Sequence, residues 1–426
     1  MTETVADRLA GALRVVLGVD QLPVRLRAWD GSETGPTDAP TVIIRSRRAV
    51  RRLVWAPGEL GLARAYVAGE LDAEGDDLYA AFSALSSAGR LQPGNEPPEP
   101  SIAQRLALLR TGLRLGVVGP QPAPPPEEIR VARYGRMHSQ RRDAVAVSHH
   151  YDVGNDFYRL VLGPSMVYSC AVWADESTGL EAAQEAKLDL VCRKLGLAPG
   201  MRLLDVGCGW GSLAMHAAER YGVDVVGITL SQEQAALARK RVAEAGLTER
   251  VDIRVQDYRA IDDGPFDAIS SVGMAEHVGR SKLPEYAATL TALLKPGGRL
   301  LNHAISWDAG ETIWRADSFI ARYVFPDGEL ISIGDMVNAL TAGTDLEVLD
   351  VEALRRHYAL TLRAWVRNLD EHWDQAVAET SEGRARVWRL YMSASALAFE
   401  GGAMGINQVL LQRRGGNPPP LRRDWS

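Results

Sequence analysis

An α/β fold with a mostly parallel sheet, preceded by a small α+β unit, is what this sequence predicts. Three observations carry that expectation. From residue 201 onward, short apolar strand-like runs alternate with helix-like segments. The first such run, LLDVGCGWGSLA at 203–214, ends in glycines and then opens a helix. Two proline-rich stretches, SSAGRLQPGNEPPEPS (86–101) and GPQPAPPPEE (119–128), set off what comes before. Strands alternating with helices mean βαβ units, right-handed crossovers and a parallel sheet.

The elements follow in chain order. The N-terminal stretch MTETVADRLAGALRVVLGV reads as an amphipathic helix and not as a leader, because Glu3, Asp7, Arg8 and Arg14 break any apolar core. PVRLRAW (23–29) and PTVIIRS (40–46) are strand-like, and LGLARAYVAGEL (60–71) is helical. With a helical extension at about 102–116, residues 1–118 form the N-terminal α+β domain. Residues 119–128 are a proline-rich linker, and 129–426 form the second domain. There MRLLDVG, VDVVGITL, VDIRVQ, FDAISSVG and GRLLNHAIS are five strands in succession. SQEQAALARKRVAEAG and LPEYAATLTALL are helices between them, and LKPGGRLL is a helix end, a turn and a new strand.

Composition excludes several classes. A net charge of −6 argues against a general nucleic-acid binder. Three cysteines, Cys170, Cys192 and Cys208, show no C-x-x-C and no metal-ligand spacing, which fits a reducing compartment and no metal. No run approaches the roughly 20 apolar residues of a spanning helix. The expectation is a cytoplasmic protein.

Gly207, Gly209 and Gly211 raise the chemical question. Glycine permits positive φ and lets a ligand approach the backbone without meeting a Cβ, although a tight strand–helix turn also explains it. A dinucleotide site would show G-x-G-x-x-G and an acid ending the second strand. Here the spacing is G-x-G-x-G after Asp205. The second strand ends GITLSQEQ, with Thr229, Leu230, Ser231 and Gln234. Glu276 follows the fourth strand and His303 lies near the end of the fifth, both on the edge where doubly wound sheets bind ligands. Taken alone, Cys170 reads as an inert buried thiol, His303 as a core histidine and Tyr358 as packing. Glu276 is the residue least easily buried without a task.

The loop and its flanks resemble the nucleoside-binding half of a class I S-adenosylmethionine methyltransferase. Five motifs narrow this: SHHYDVGNDFYRLVLGPSMVYSCAVW (148–173), EAKLDLVCRKLGLAPGMRLLDVGCGWGSLA (185–214), VVGITLSQEQ (225–234), VGMAEHVG (272–279) and HYALTLRAW (357–365). Together they resemble the cyclopropane-fatty-acid synthase family over about residues 129–412. The resemblance implies a Rossmann-like sheet of seven strands with helices on both faces, and an N-terminal domain that handles lipid. It implies methyl transfer from S-adenosylmethionine to the cis double bond of an unsaturated phospholipid acyl chain. Asp205, Gly207, Cys208, Gly209 and Gly211 would then line the cofactor. Thr229, Leu230, Ser231 and Gln234 would meet the ribose, Asp257 and Tyr258 the adenine, and Tyr168 and Ser169 the methyl donor. Bound bicarbonate would be the base, held by Cys170, Glu276, His303, the Ile305 backbone and Tyr358. Relatives are often homodimers.

Attack of an alkene on a sulfonium methyl leaves a carbocation, which requires a dry pocket. Ala275 stands where the family has an aromatic residue, and FEGGAMGINQVLLQRR (399–414) is glycine-rich. These departures lean towards a mid-chain methylene product, which a separate reductase would convert to a methyl branch. Moving eight or nine methylenes through water costs roughly 7 kcal/mol, so the enzyme is expected at the inner face of the membrane. RSRRAVRR (45–52) and RVARYGRMHSQRR (130–142) suit an anionic surface, or are simply solvated basic faces. WDAGETIWRADSFIARYVFPDGEL (307–330) reads as an acyl-chain lid or as a packed helix.

Overall fold

A computed structural model describes residues 3–87, 101–129, 153–307, 318–326, 328–423 and 425. They divide into two units. The first is residues 1–129 with two later segments, 317–324 and 381–397, which chain order alone assigns to the second domain.

The first unit contains α1 (Val5–Leu17), β1 (Arg25–Arg27), β2 (Glu33–Thr34), β3 (Thr41–Ile44), α2 (Arg47–Trp55), α3 (Glu59–Val67), β4 (Leu71–Ala73), α4 (Leu78–Ser87) and α5 (Ile102–Leu115). The strands form one sheet in the order β2-β1-β3-β4. Thr4 and Asp7 cap α1 reciprocally and Gly18 ends it in the left-handed region. A buried ion pair ties residues 381–397 to the small sheet. Arg386 donates to Asp72 at 3.0 Å with both side chains almost fully buried. That guanidinium, with Arg45, holds the Asp72 carboxyl below the usual range against the opposing effect of burial. Breaking such a pair leaves an uncompensated buried charge, which is why this segment cannot drift away cheaply.

The second unit carries α6 (Asn155–Leu162), α7 (Leu180–Leu195), β5 (Arg202–Val206), α8 (Ser212–Tyr221), β6 (Asp224–Thr229), α9 (Gln232–Glu244), β7 (Val251–Val255), β8 (Phe266–Val272), α10 (Ala275–Val278), α11 (Leu283–Leu293) and β9 (Leu294–Trp307). α12 (Phe319–Tyr323) belongs to the first unit, and α13 (Ile333–Thr341), β10 (Leu346–Ala353), α14 (Arg355–Glu371) and α15 (Trp373–Glu379) follow in the second; α16 (Glu382–Glu400) lies in the first unit up to residue 397, and β11 (Met404–Arg413) returns to the second. The seven-stranded sheet has the order β10-β11-β9-β8-β5-β6-β7. All pairs are parallel except β10–β11 and β11–β9. The central strands are buried on both faces, as a doubly wound sheet requires. Leu204, Phe266 and Leu300 pack into one apolar layer, and Leu203, Val225 and Leu301 into the other. The chain order reverses between β5 and β8, so the ligand crevice lies at their carboxyl ends.

Three sequence features need placing. Of 307–330, residues 308–317 and 327 lie outside the described residues. Phe319 and Tyr323 are buried in the first unit with ring centroids 5.3 Å apart, and the Tyr323 hydroxyl donates to Glu128 at 3.3 Å. The run 45–52 is partly spent on ion pairs, Arg45 with Asp72 and both Arg48 and Arg52 with Glu70. The run 130–142 lies outside the described residues. Among the described residues, no helix is long and apolar enough to cross a membrane.

Candidate active site

The glycine loop is built by backbone geometry. Gly207, Gly209 and Gly211 all have positive φ, at 79°, 54° and 80°. The amides of Gly207 and Cys208 both donate to the Ile228 carbonyl, which ties the loop to β6. A Cβ on Gly207 would lie 2.5 Å from Met274 Cγ, so that position must stay bare for packing. A Cβ on Gly209 would meet nothing within 4 Å, so the open space beside this backbone is a cradle and not a packing constraint. Cys208 is buried and fills the place where Gly227 lacks a side chain.

The β6 terminus is ordered by its own side chains. The Thr229 hydroxyl donates to Gln234 Oε1 at 2.8 Å, and Ser231 caps α9 by accepting from the Gln234 amide at 3.2 Å. Leu230 lies between them, partly buried. Asp257 is clasped by the Arg259 amide and guanidinium, which hold its carboxyl low. Tyr258 packs in the core edge-on to Tyr286. Asp205, at the end of β5, is buried and accepts from Ser270 at 2.8 Å. Burial pushes its carboxyl up to about 6, opposed by the Ser270 hydrogen bond and the Lys187 charge.

The segment before Cys170 is pinned against this loop. Ser212, the residue after Gly211, donates to the Ser165 carbonyl at 2.5 Å, and Arg241 donates to the same oxygen at 3.1 Å. Met166 sits at φ 55°, in the left-handed region where any residue with a Cβ is strained. Tyr168 and Ser169 follow, both half-buried.

The second cluster joins residues far apart in sequence. Cys170 Sγ lies 3.7 Å from the Leu354 carbonyl, and the Tyr358 amide donates to that same carbonyl at 3.1 Å. The Leu354 amide in turn donates to Ile406 on β11 at 2.8 Å, and Ile406 pairs with Ile305 on β9. The Ile305 amide donates to Glu276 Oε1 at 2.8 Å. His303 is two residues back on the same face of the strand. Backbone hydrogen bonds and strand pairing thus link the Cys170 and Tyr358 segments, through Leu354 and Ile406, to Ile305 and Glu276. Thr361 secures the arrangement by accepting from the Ala171 amide at 3.1 Å and from the Trp173 indole at 3.0 Å.

Comparison with known proteins places this geometry. Residues 138–409 match the family model described as mycolic acid cyclopropane synthetase. The chain belongs to the mycolic acid cyclopropane synthetase family. It is 44% identical over 430 residues to a probable fatty acid methyltransferase of Mycobacterium tuberculosis, covering 98% of each chain. It is 38% identical to the cyclopropane-fatty-acyl-phospholipid synthase of Escherichia coli, covering 71% of this chain and 77% of that one. The solved structure of the mycolic acid cyclopropane synthase CmaA1, complexed with SAH and CTAB, superposes with a TM-score of 0.60 at 36% identity. It covers 63% of this chain and 98% of its own.

Within this site the electrostatics are set by burial. Burial pushes the Glu276 carboxyl up to about 7, although the Ile305 amide favours the ionised form. Burial takes His303 down to about 3, with the Lys187 and Lys194 charges adding to it, so the imidazole is neutral. The Cys170 thiol is pushed well up by burial and stays protonated. Burial lowers Lys187 to about 8, opposed by the Asp205 charge. Glu276 Oε2 and both His303 nitrogens are buried with no hydrogen-bond partner among the described residues. These orphaned atoms, one carboxyl and one neutral imidazole, fit a small oxyanion that both donates and accepts.

Sequence reading missed three contributors. Gln408 lies directly across from His303 in the β9–β11 pairing, fully buried, with neither end of its amide partnered among the described residues. Its signal was a polar pair, Asn407 and Gln408, inside the otherwise apolar run INQVLL. Lys187 is buried within electrostatic reach of Cys170, Asp205 and His303. A row of rings runs from the glycine loop: Trp210 to Tyr158 at 4.7 Å, Tyr158 to Tyr168 at 5.6 Å, Tyr168 to Trp365 at 5.3 Å, Trp365 to Tyr358 at 6.0 Å and Tyr358 to Phe399 at 4.8 Å. Aromatic faces attract positive charge. Ala275, by contrast, is buried in the layer with Tyr258 and Ile331. Its small size fills a core position.

Proposed function

We propose that this protein transfers a methyl group from S-adenosylmethionine to the cis double bond of an unsaturated acyl chain carried on a phospholipid. One observation carries the proposal. Glu276, which follows β8 beside the glycine loop's strand, and His303, on the next strand β9, hold buried polar atoms with no partner among the described residues.

S-adenosylmethionine supplies an electrophilic methyl whose carbon–sulfur bond breaks as the alkene π pair forms the new carbon–carbon bond. The adjacent carbon becomes cationic. Trp365, Tyr358 and Tyr168 present electron-rich faces in a water-poor setting, which lowers the energy of that charge without offering a nucleophile. For a methylene product a hydride first shifts from the methyl-bearing carbon to its cationic neighbour, and a proton then leaves the new methyl group as the carbon–carbon double bond forms. Cys170, Glu276, His303, Ile305 and Tyr358 would hold bicarbonate as that proton's acceptor. Near neutral pH, Glu276 exchanges readily between acid and carboxylate, so it can pass a proton onward. His303 stays neutral and offers one donor and one acceptor.

A relative that matches over 98% of the chain is named a probable fatty acid methyltransferase, which supports methyl transfer to an acyl chain, and the proposed product is an open-chain methylene. Incubation with carbon-13 methyl donor and oleoyl phospholipid vesicles tests this. An olefinic labelled carbon is the expected product signal, and a strongly shielded cyclopropane carbon would correct the product but keep the reaction. Methylation of a soluble acceptor with none of the lipid would overturn the proposal.

A further inference from the structure

The helix α5 (Ile102–Leu115) lies outside the chemistry above, and its surface is unusual. Ile102, Leu106, Leu109 and Leu113 are all exposed, from 50% at Leu106 to 80% at Ile102. At about 100° per residue, they fall within an arc of about 60°, a continuous stripe along a helix of about 21 Å. The helix touches the protein with the opposite side, through Leu108, Thr111 and buried Leu115. The apolar stripe therefore points away from the protein.

Its rim is basic. Arg105 borders the stripe on one side, and Arg110 and Arg114 on the other. Neither α5 nor α2 contains an acidic residue, in a chain whose net charge is −6. The patch continues past the end of the helix. Val118 lies against Gly112 and is half exposed. The Trp55 indole of α2 donates to the Gly119 carbonyl at 2.9 Å with about half its surface still in water. Arg51 donates to the Val117 carbonyl at 3.2 Å, adding a guanidinium at that end. A narrow apolar stripe, a half-exposed tryptophan and a basic rim are what an interfacial helix needs: side chains that enter the acyl boundary, cations that reach the phosphates, and an aromatic ring at the level between.

We infer that α5 and the adjoining Trp55 edge seat this protein on an anionic phospholipid bilayer, with the leucine stripe inserted and the arginines on the headgroups. The need for a bilayer rests on the proposed reaction, whereas the surface itself is independent of it. The charge complementarity selects anionic lipid as the occupant, because a second copy of this chain would bring the same cations face to face.

Sedimentation of the full chain with vesicles of two parts phosphatidylcholine to one part phosphatidylglycerol tests the inference. Binding is expected to weaken by at least a hundredfold in Leu106→Asp/Leu109→Asp. Removing the three α5 arginines should also weaken it about a hundredfold, from about tenfold or less per cation near the surface. Raised salt should weaken wild-type binding, and pure phosphatidylcholine should bind poorly. A second measurement keeps the folded state in view. Leu109→Cys carries an environment-sensitive fluorophore, since all three native cysteines are buried, and its emission should shift to the blue on anionic vesicles. Unchanged sedimentation of the double aspartate variant, or a label that stays in water on bound protein, overturns the inference. So does loss of a dimer in that variant with vesicle binding intact, which would assign the stripe to a second copy. Wild-type binding without any methyl transfer to lipid would sink the proposed reaction and leave the docking surface standing.

Discussion

Substituting Glu276→Gln should make the protein more stable and much less active, and the size of the first effect can be worked out. The carboxyl titrates at about 4.5 in the unfolded chain and at about 7 in the fold, because burial disfavours its charge. Between those values the folded state binds the extra proton. Stability from this group is therefore full below about pH 4.5 and declines as pH rises to about 7. A separation of about 2.5 units at about 1.36 kcal/mol each gives a full loss of about 3 kcal/mol, of which about 2.5 kcal/mol falls between pH 5 and pH 8. The amide cannot ionise and keeps an oxygen for the Ile305 amide. Urea unfolding of both proteins at pH 5 and pH 8 should show the variant gaining about 2.5 kcal/mol on wild type across that interval. The pH difference cancels the cost of burying the amide itself. Methyl transfer should fall at least a hundredfold, a typical loss when a positioned acid–base group is removed. Parallel pH curves for the two proteins would refute the argument, since Glu276 would then not be held in a low-dielectric site.

Three further substitutions probe separate parts of the site. Gln408→Leu removes two unpartnered amide ends, so its melting point should stay within a few degrees while the dependence of turnover on bicarbonate shifts at least tenfold; an unchanged bicarbonate titration would make Gln408 a mere core residue. Gly209→Ala should cost about 1 kcal/mol for a side chain at φ 54°, yet weaken S-adenosylmethionine binding by calorimetry at least tenfold, because the cradle beside it would be filled. Lys194→Met removes the cation shared by buried Asp350 and by Glu352 while Arg423 stays on Asp350, and chemical unfolding should show a loss of about 2 kcal/mol.

The parallel half of the fold was legible because its strands are short apolar runs closed by glycine turns, and burial on both faces leaves no other reading. The glycine loop and the edge positions of Glu276 and His303 followed from the same pattern. The antiparallel strands β10 and β11 did not announce themselves, since a late strand inserted between two earlier ones has no local mark. That is why Gln408 went unseen: only the pairing of β11 with β9 brings it to His303. Phe319 and Tyr323 show another limit. Apolar residues at helical spacing suit a lid and a packed helix equally, and these two pack on Glu128 and each other. Ala275 carried meaning only through its neighbours, which are core residues. The exposure of the α5 stripe was likewise invisible, because a leucine in a helix ordinarily faces inward.

The position of β11 also bears on how the molecule is made. Emerging from the ribosome, the chain completes β5 to β9 long before residues 404–413 exist, and until then the β9 flank offers unpaired amides and carbonyls to any passing strand. The nascent protein can acquire its nucleoside crevice early, but the Leu354–Ile406 link waits for the last strand to slide into place. A truncated product would hold the alkylating reagent with no machinery for finishing the reaction, and would be prone to clump.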